Sequence, residues 1–353
     1  MVFGKKRDMK DTSISGKEAR FWRKEGEGVR CLLCPHRCFL KDGQRGICRV
    51  RRNVGGVLIT ENYGFVSSIS PDPIEKKPLF HFHPSEIALS FGTVGCNLRC
   101  KHCQNWEISQ VGVGEFPSFY SSYYTPQEIA DFVISRGYKI VAWTYNEPII
   151  WFEFVVDTSK LLKEMGIKVV YVTNGFANEN AWREMLKYAD AMNIDVKAMS
   201  EEFYRKITLG SLKPVLRNVE IAKEMNKHVE LTYLIIPELN DSDEELRKFA
   251  SWVKNLDESI PVHFSRFFPH YNMRHKPPTP IETMYRAYNI AKEEGLKYVY
   301  LGNVWDERYE STYCPRCNSL LIRRTYYDVE LVNLDRERGV CKKCGEKIEV
   351  VLK

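Results

Sequence analysis

The 353-residue sequence has no hydrophobic run long enough to cross a membrane. Its longest apolar stretch, 148–156, is interrupted by Glu153, whereas a transmembrane helix needs about 20 apolar residues. The N-terminus is charged and lacks the apolar segment of a secretory signal, so we expect a cytoplasmic protein without membrane contact. Internal repeats and low-complexity tracts are also missing, and the composition excludes disordered, collagen-like and fibrous chains.

Cysteine, by contrast, is abundant. The chain carries eleven cysteines in three groups with none left over, namely Cys31, Cys34, Cys38 and Cys48, then Cys96, Cys100 and Cys103, and finally Cys314, Cys317, Cys341 and Cys344. A reducing cytoplasm disfavours disulfides, and a chain of this length does not need them for stability. Inert buried thiols would be spread through the core, so the grouping predicts metal binding or catalysis.

Strand and helix signals alternate through the middle of the chain. Runs rich in Val, Ile and aromatic residues predict strands at 87–94, 139–145, 168–173, 191–196, 228–236, 262–268 and 297–301. Thr125 before a proline, and the acidic stretch 241–245, predict helix starts. The alternation predicts an α/β fold, a partial or full TIM-like (β/α) barrel. We expect an N-terminal Cys-rich segment at 1–84, the barrel at 85–304 and a small β module at 305–353.

The three-cysteine group follows the first predicted barrel strand with the spacing CxxxCxxC. Thiolates of Cys96, Cys100 and Cys103 in one loop would each bind one iron of a cubane cluster and leave the fourth iron open. An open iron suits a cluster that binds a substrate rather than one that only carries electrons. The alternative is a zinc knuckle that uses His102 as its fourth ligand, and the strand before the loop argues against it.

This loop resembles the signature of the radical S-adenosylmethionine (SAM) superfamily, CxxxCxΦC, with His102 at the usually aromatic position Φ. Other motifs extend the resemblance to the radical SAM component of the AmmeMemoRadiSam system, which is similar to pyruvate formate-lyase activating enzymes. These motifs are CLLCPHRC at 31–38, GICR at 46–49, the loop from Gly95 to Trp106, YNEP at 145–148, TNG at 173–175, NIDVK at 193–197, LIIP at 234–237, HFSRF at 263–267 and GN at 302–303.

The resemblance implies a radical SAM oxidoreductase. A [4Fe–4S] cluster on the three-cysteine loop would reductively cleave SAM to methionine and a 5′-deoxyadenosyl radical, which abstracts hydrogen from a substrate that we expect to be macromolecular. An electron donor such as ferredoxin or flavodoxin is implied as well. Two enzymatic roles stay open: a modifying enzyme that acts with Memo-like and AMMECR-like proteins, and an activator of a glycyl-radical enzyme.

Polar residues at strand ends are the candidates for SAM binding, because barrels place their sites there. Glu147 is expected to accept from the SAM amino group, or else to stabilise a helix N-terminus. Asn174 is either a SAM contact or a turn residue. Asp195 and Lys197 alternate on the fourth strand and are assigned to SAM by the resemblance, and Arg266 on the sixth strand is expected to pair with the carboxylate. The remaining cofactor-binding candidates lie in or after the cluster loop: His102, expected to stack on adenine, Gln104 and Asn105.

The C-terminal cysteines Cys314, Cys317, Cys341 and Cys344 form two CxxC knuckles with 23 residues between them. This is zinc-ribbon spacing, and the segments 320–324 and 329–332 predict a small sheet between the knuckles. A module of this size cannot fold on core burial alone, so we expect a tetrahedral zinc site. Rubredoxin-like iron uses the same ligands and stays open.

The N-terminal cysteines Cys31, Cys34, Cys38 and Cys48 are more tightly spaced, as C-x₂-C-x₃-C-x₉-C. The close first three are typical of cluster spacing, whereas the terminal position suits zinc equally. The expectation is therefore either a structural zinc or a second iron–sulfur cluster.

Positive charge is concentrated at the N-terminus, where residues 1–52 carry an excess of nine basic side chains. Together with the ribbon, this excess supports an alternative of another class, a zinc-ribbon adaptor that binds nucleic acid. Such a protein would show salt-sensitive nucleic-acid binding and no SAM cleavage. The three-cysteine loop and the predicted barrel favour the enzyme.

Overall fold

The computed structural model describes residues 16–117 and 121–352, so the first fifteen residues of the basic N-terminal segment lie outside the described residues. The strands are β1 (Lys17–Glu18), β2 (Trp22–Glu25), β3 (Gly28–Cys31), β4 (Phe39–Lys41), β5 (Arg51–Val54), β6 (Val57–Thr60), β7 (Phe65–Val66), β8 (Ser68–Pro73), β9 (Ile87–Gly92), β10 (Ser122–Tyr123), β11 (Ile140–Trp143), β12 (Lys168–Thr173), β13 (Ala191–Asp195), β14 (His228–Ile235), β15 (Val262–Arg266), β16 (Val299–Gly302), β17 (Thr312–Tyr313), β18 (Leu320–Thr325), β19 (Asp328–Leu331), β20 (Leu334–Asp335) and β21 (Val340–Cys341).

The α-helices are α1 (Trp106–Ser109), α2 (Pro126–Ser135), α3 (Phe152–Glu164), α4 (Glu179–Leu186), α5 (Glu201–Phe203), α6 (Leu212–Glu224), α7 (Asp243–Asp257), α8 (Ile281–Glu293) and α9 (Glu307–Glu310). Short 3₁₀ turns and one π turn occur at Ile74–Lys76, Val113–Glu115, Pro148–Trp151, Tyr271–Met273 and Tyr204–Thr208. None of the helices in the described residues combines the length and the apolar character needed to cross a bilayer.

The described chain divides into two compact units. The first consists of the chain up to Pro71 together with Ala88–Asp190, and the second consists of Asp72–Ile87 and Ala191–Lys353. The three-part division at 1–84, 85–304 and 305–353 stays a prediction.

In the first unit, β9, β11 and β12 form parallel pairs, with Ala142 opposite both Ser90 and Val170. All four residues of β11 are buried, as expected of a parallel strand that is covered on both faces. Helix α2 begins as predicted, because the Thr125 hydroxyl accepts from the backbone N–H of Glu128 and the Glu128 carboxylate accepts from the backbone N–H of Thr125.

The first unit also contains small antiparallel sheets from the N-terminal part of the chain, with the orders β2-β3-β4 and β1-β6-β5. Arg51 on β5 and Glu153 on α3 form a fully buried ion pair. Replacing one partner of such a pair leaves an uncompensated charge, so this contact ties the N-terminal sheets to α3 within the unit.

In the second unit, β13, β14, β15 and β16 are parallel neighbours. One row of the register runs through Ile194, Leu231, Val262 and Val299, which are all buried. Helix α7 starts with Ser242, whose hydroxyl accepts from the backbone N–H of Glu245. All seven predicted strands are present within two residues of their expected ends, which confirms an α/β fold with a mostly parallel sheet.

The C-terminal part of the second unit contains the predicted small sheet, with the antiparallel order β17-β18-β19 and a β20–β21 hairpin. Its core is built from Leu321, Ile322, Leu334 and Ile348. The buried Arg324 side chain donates to the Thr312 hydroxyl at 2.8 Å and to a backbone carbonyl at 2.6 Å. Few apolar side chains contribute to this core, so further stabilisation is expected from its cysteines.

Candidate active site and cysteine sites

The three-cysteine loop leaves β9 at its carboxyl end and is fixed at its first turn. Gly95 has a φ of +88°, and a Cβ there would lie 2.5 Å from the carbonyl oxygen of Cys48, so only glycine fits. The Asn146 side chain spans the turn: its Nδ2 donates to the Gly95 carbonyl at 2.8 Å, and its Oδ1 accepts from the Thr93 N–H at 3.2 Å. The loop therefore starts from a rigid strand end.

Hydrogen-bond donors approach the sulfurs of this loop. The backbone N–H of Leu98 lies 3.4 Å from Cys96 Sγ, and the Asn174 amide lies 3.7 Å from the same sulfur. Cys103 Sγ lies 3.1 Å from the Ser109 hydroxyl. Burial, and then the nearby Glu147 carboxylate, raise the pKa of the Cys96 thiol. A thiolate here needs a cationic partner, and a thiolate surrounded by N–H donors is the ligand that an iron–sulfur cluster uses.

Glu147 and Asn174 join this loop to the ends of β11 and β12. Glu147 is buried, and its carboxylate accepts from the backbone N–H of Ile149 at 3.0 Å, the Thr173 hydroxyl at 2.7 Å and the backbone N–H of Asn174 at 2.7 Å. The Asn174 amide also donates to Asn97 Oδ1 at 2.9 Å. Glu147 thus caps the short helix at Pro148–Trp151 and also lies beside the cluster loop.

The other candidates of the loop differ in exposure. His102 is buried, whereas Gln104 and Asn105 are exposed. Asn105 donates from Nδ2 to the Tyr145 carbonyl at 2.7 Å. Their assignment to SAM stays a prediction.

Asp195, Lys197 and Arg266 belong to the second unit. The expectation that Asp195 and Lys197 both lie on the fourth strand is corrected, because β13 ends at Asp195. The two side chains form an ion pair of 2.9 Å, with 35% of the Asp195 side chain and 14% of the Lys197 side chain exposed, so the pair is partly solvated rather than fully buried. Arg266 ends β15, donates to the Thr279 carbonyl at 2.7 Å and lies over the ring of Phe268.

The C-terminal quartet converges to a site of metal-binding size. All four sulfurs lie within 4.8 Å of one another, and the pairs Cys314–Cys344 and Cys317–Cys341 are 3.6 and 3.7 Å apart. Tetrahedral zinc with Zn–S bonds of about 2.3 Å would space its sulfurs by about 3.8 Å. Each knuckle turns on a left-handed residue, Asn318 or Gly345, and a hydrogen bond from the Ser319 hydroxyl lowers the pKa of Cys317.

The N-terminal quartet also converges, because Cys31, Cys34, Cys38 and Cys48 line one small cavity in the first unit. Burial raises the pKa of Cys34, and burial also raises that of Cys48, to about 11. In the absence of a cation, these thiols would therefore stay protonated at neutral pH.

Several residues around the cysteines were not singled out by sequence reasoning. Asn97, Asn146 and Thr173 hold the cluster loop, and Arg51 lines the N-terminal cavity. Asn146 and Thr173 lie within the YNEP and TNG motifs, which gave a signal. Asn97 lies within the quoted loop from Gly95 to Trp106, whereas Arg51 acts through partners distant in sequence and had no such signal.

Parallel strands joined by helices, with three cysteines in a loop at the carboxyl end of one strand, define an α/β protein whose candidate site lies at that strand end. Residues 91–250 match the radical SAM superfamily. The matched segment belongs to this superfamily, whose members are enzymes, and the chain is related to the enzymes that activate glycyl-radical enzymes.

The chain is similar to three other proteins to different extents. The chain is 45% identical over 338 residues to an uncharacterised protein of Methanocaldococcus jannaschii, covering 95% of this chain and 100% of that protein. It is 27% identical over 180 residues to the pyruvate formate-lyase-activating enzyme of Clostridium pasteurianum, covering 48% of this chain and 72% of that enzyme. A solved domain of a pyruvate-formate lyase-activating enzyme from Bacteroides vulgatus is 17% identical with a TM-score of 0.40, covering 46% of this chain and 98% of that domain.

Proposed function

We propose that Cys96, Cys100 and Cys103 hold a [4Fe–4S] cluster and that the enzyme uses it to generate a 5′-deoxyadenosyl radical from SAM. When bound, this cluster supplies the electron that splits SAM and releases methionine. The main support for the proposal is a pair of contacts made by Asn174. Its side-chain amide approaches Cys96 Sγ, and its backbone N–H donates to the buried Glu147 carboxylate beside the cluster loop.

The residues of the chain have separate roles in this proposal. Asn174 and the Leu98 N–H stabilise negative charge on the Cys96 sulfur. Glu147, anchored by three donors, offers a fixed negative charge for the SAM amino group. Within the second unit, Arg266 and the Asp195–Lys197 pair are separate candidates for contact with SAM.

The substrate is proposed to be a macromolecule. Two aromatic side chains at the carboxyl ends of neighbouring strands support this, because Trp305 after β16 is 61% exposed and its ring lies 6.2 Å from that of Phe268 after β15. An exposed Trp305 beside a half-buried Phe268, at the end of a barrel where substrates bind, is suited to contact a peptide. Memo-like and AMMECR-like proteins are the proposed partners in the cytoplasm, with ferredoxin or flavodoxin as the electron donor.

A second candidate function is activation of a glycyl-radical enzyme. The relationship to the pyruvate formate-lyase-activating enzyme of Clostridium pasteurianum favours it. In both cases the C-terminal quartet is proposed to hold zinc, since its sulfur spacing matches a tetrahedral site.

Anaerobic reconstitution tests the chemistry. The reduced protein with SAM should release 5′-deoxyadenosine, and Cys100→Ala should release none, whereas the exposed Cys317→Ala, outside the loop, should still do so. A Cys100→Ala variant that cleaves SAM as well as the parent would contradict the proposal.

Deuterium transfer from labelled partner proteins into 5′-deoxyadenosine then identifies the substrate. A glycyl-radical signal in electron paramagnetic resonance (EPR) spectra would favour the activating role. Salt-sensitive nucleic-acid binding without SAM cleavage would support the adaptor instead.

A further inference from the structure

The cavity between the N-terminal cysteines is lined in a way that suits a metal cluster. The thiols of Cys31, Cys34 and Cys48 are buried and that of Cys38 is half-buried, while Leu33, Leu40, Ile47 and Ile150 supply an apolar wall. Sulfur ligands inside an apolar shell are the usual surroundings of an iron–sulfur cluster, because the shell excludes water and protects the cluster.

A buried positive charge lies beside these thiols. Arg51 is fully buried, and its Nη1 lies 3.9 Å from Cys31 Sγ. The same Nη1 donates to the Arg20 carbonyl at 2.9 Å and Nη2 donates to Glu153, whereas Nε has no hydrogen-bond acceptor. An unused donor on a buried guanidinium is costly next to neutral thiols, whereas thiolates bound to a metal would be favourable neighbours.

The distances between the sulfurs differ among the three cysteine groups. Among the described residues, the C-terminal quartet is the one group of metal-ligating side chains whose ligand atoms all lie within 4.8 Å of one another. Neither the N-terminal sulfurs nor those of the three-cysteine loop form such a group within the described residues. In a cubane each thiolate binds a different iron, so its sulfurs stand further apart than around zinc.

The N-terminal cysteine loops contact the three-cysteine loop directly. The carbonyl oxygen of Cys48 abuts Gly95, the His36 ring hydrogen-bonds through Nε2 to the Asn97 carbonyl at 2.7 Å, and the Arg99 guanidinium donates to the Ile47 carbonyl. Short covalent and hydrogen-bonded paths therefore join the two cysteine groups within the first unit.

We propose that Cys31, Cys34, Cys38 and Cys48 bind a second [4Fe–4S] cluster, which passes electrons to the cluster on the three-cysteine loop. A low-potential one-electron carrier protein reduces the second cluster from the 2+ to the 1+ state. The second cluster returns to 2+ as the catalytic cluster goes from 2+ to 1+, and that electron breaks the carbon–sulfur bond of SAM. Binding of the second cluster is independent of the proposed function, whereas the electron transfer rests on it.

Iron content tests the binding. After anaerobic reconstitution, the full chain should hold about eight iron atoms. The triple variant C96A/C100A/C103A should keep about four, and the matched variant C34A/C38A should also keep about four, on the other site. A triple variant that holds no iron and instead gains a second zinc ion would overturn the proposal, and so would one that binds no metal at the N-terminal cysteines. Zinc and iron are counted by mass spectrometry of the metals.

The redox role is tested in two further measurements. With a reduced flavodoxin as donor, C34A/C38A should form 5′-deoxyadenosine at least about tenfold more slowly than the parent, whereas with dithionite the loss should be smaller; equal rates with flavodoxin would overturn the relay. If the parent cleaves no SAM at all, the proposed function fails, but the iron count of the triple variant still decides on the second cluster.

A second variant tests the site without removing any of the four cysteines. Glu153→Gln in the triple-variant background leaves the Arg51 charge uncompensated beside the second cluster, so the midpoint potential of that cluster should rise at unchanged iron content. A midpoint potential that does not move would show that Arg51 does not face the cluster and would count against the site. The potential is read from EPR-monitored redox titration.

Discussion

The side-chain amide of Asn174 lies 3.7 Å from the sulfur of Cys96, and the same amide donates to Asn97 at 2.9 Å. One residue at the end of β12 therefore holds both a cluster ligand and the loop next to it. Because β12 is a fully formed parallel strand, the position of this amide is set by the sheet rather than by the loop.

Asn174→Ala should lower the reduction potential of the catalytic cluster while its iron content stays unchanged. N–H donors to cluster sulfurs stabilise the reduced, more negative state, so losing one donor makes reduction harder. EPR-monitored redox titration of the protein without SAM measures the shift. Asn105→Ala is the control, because the Asn105 amide donates to a backbone carbonyl and not to sulfur. Equal potentials in Asn174→Ala and the parent would show that this contact does not tune the cluster.

Glu147→Gln should weaken SAM binding at least about tenfold and lower the free energy of unfolding by about 1–2 kcal/mol. The amide keeps the shape of Glu147 but loses the negative charge and one acceptor atom. Thr173→Val is matched to it, because it removes one donor to the same carboxylate and leaves the charge in place. It should cost a similar stability and keep the SAM affinity.

Equilibrium SAM binding and urea unfolding together separate the two roles of Glu147. If Glu147→Gln binds SAM like the parent and loses only stability, Glu147 is a helix cap and not a SAM ligand. The capping contact to the Ile149 N–H makes this outcome a real alternative.

The parts of the fold that depend on local pattern could be predicted from the sequence. Strand β12 was predicted with its observed limits, because a β-branched run is bounded by turn residues. The left-handed Asn318 and Gly345 complete knuckles that the CxxC spacing already indicated. In each case the signal lies within a few residues of the feature.

Features that depend on distant partners could not be predicted. Arg51 and Glu153 are 102 residues apart, and the sequence around neither residue indicates that the two form a buried ion pair. The placement of Lys197 on a strand was wrong because strand length depends on where the neighbouring strand stops pairing, and the register of β13 with β14 ends at Asp195. Both the buried ion pair and the end of β13 depend on tertiary contacts that a single sequence does not show.

Removal of the C-terminal metal should unfold the C-terminal sheet. Cys341→Ala is expected to lose a single zinc ion per chain and the hydrogen-exchange protection of β18, because the small core of Leu321 and Ile322 cannot hold the sheet alone. Cys100→Ala should keep both the zinc and the protection, which separates a local effect from general damage. Protection of β18 that survives in Cys341→Ala, or in the parent with a chelator, would show that the metal is dispensable there.

Arg324→Met should destabilise the protein by about 3–5 kcal/mol. The buried guanidinium donates to Thr312 and to the Phe80 carbonyl and faces the buried Glu75 carboxylate at 3.9 Å, so its removal leaves Glu75 as an unpaired buried charge. Adding Glu75→Gln to Arg324→Met should recover part of the loss, as measured by urea unfolding in a double-mutant cycle. Additive losses in the cycle would mean that the two side chains are not coupled.

Glu310 should make the protein less stable as the pH rises from about 4.5 to about 7. Burial raises the pKa of its carboxyl from 4.5 to about 7. The folded state therefore binds the proton more tightly than the unfolded state, and the free energy of unfolding falls with pH across this window. Because the side chain is only half-buried, the expected contribution is about 1 kcal/mol.

Glu310→Gln isolates this contribution, since an amide stays neutral at every pH. Urea unfolding at pH 5 and pH 8 should show that the variant and the parent differ little at pH 5, whereas the variant is more stable at pH 8. The comparison is made between variants at each pH, so titration of the cysteines, which is common to both proteins, cancels. A difference between variant and parent that is the same at both pH values would mean that Glu310 is ionised throughout. The positive charge of Arg324, which lowers the pKa of Glu310, would then offset the cost of burial.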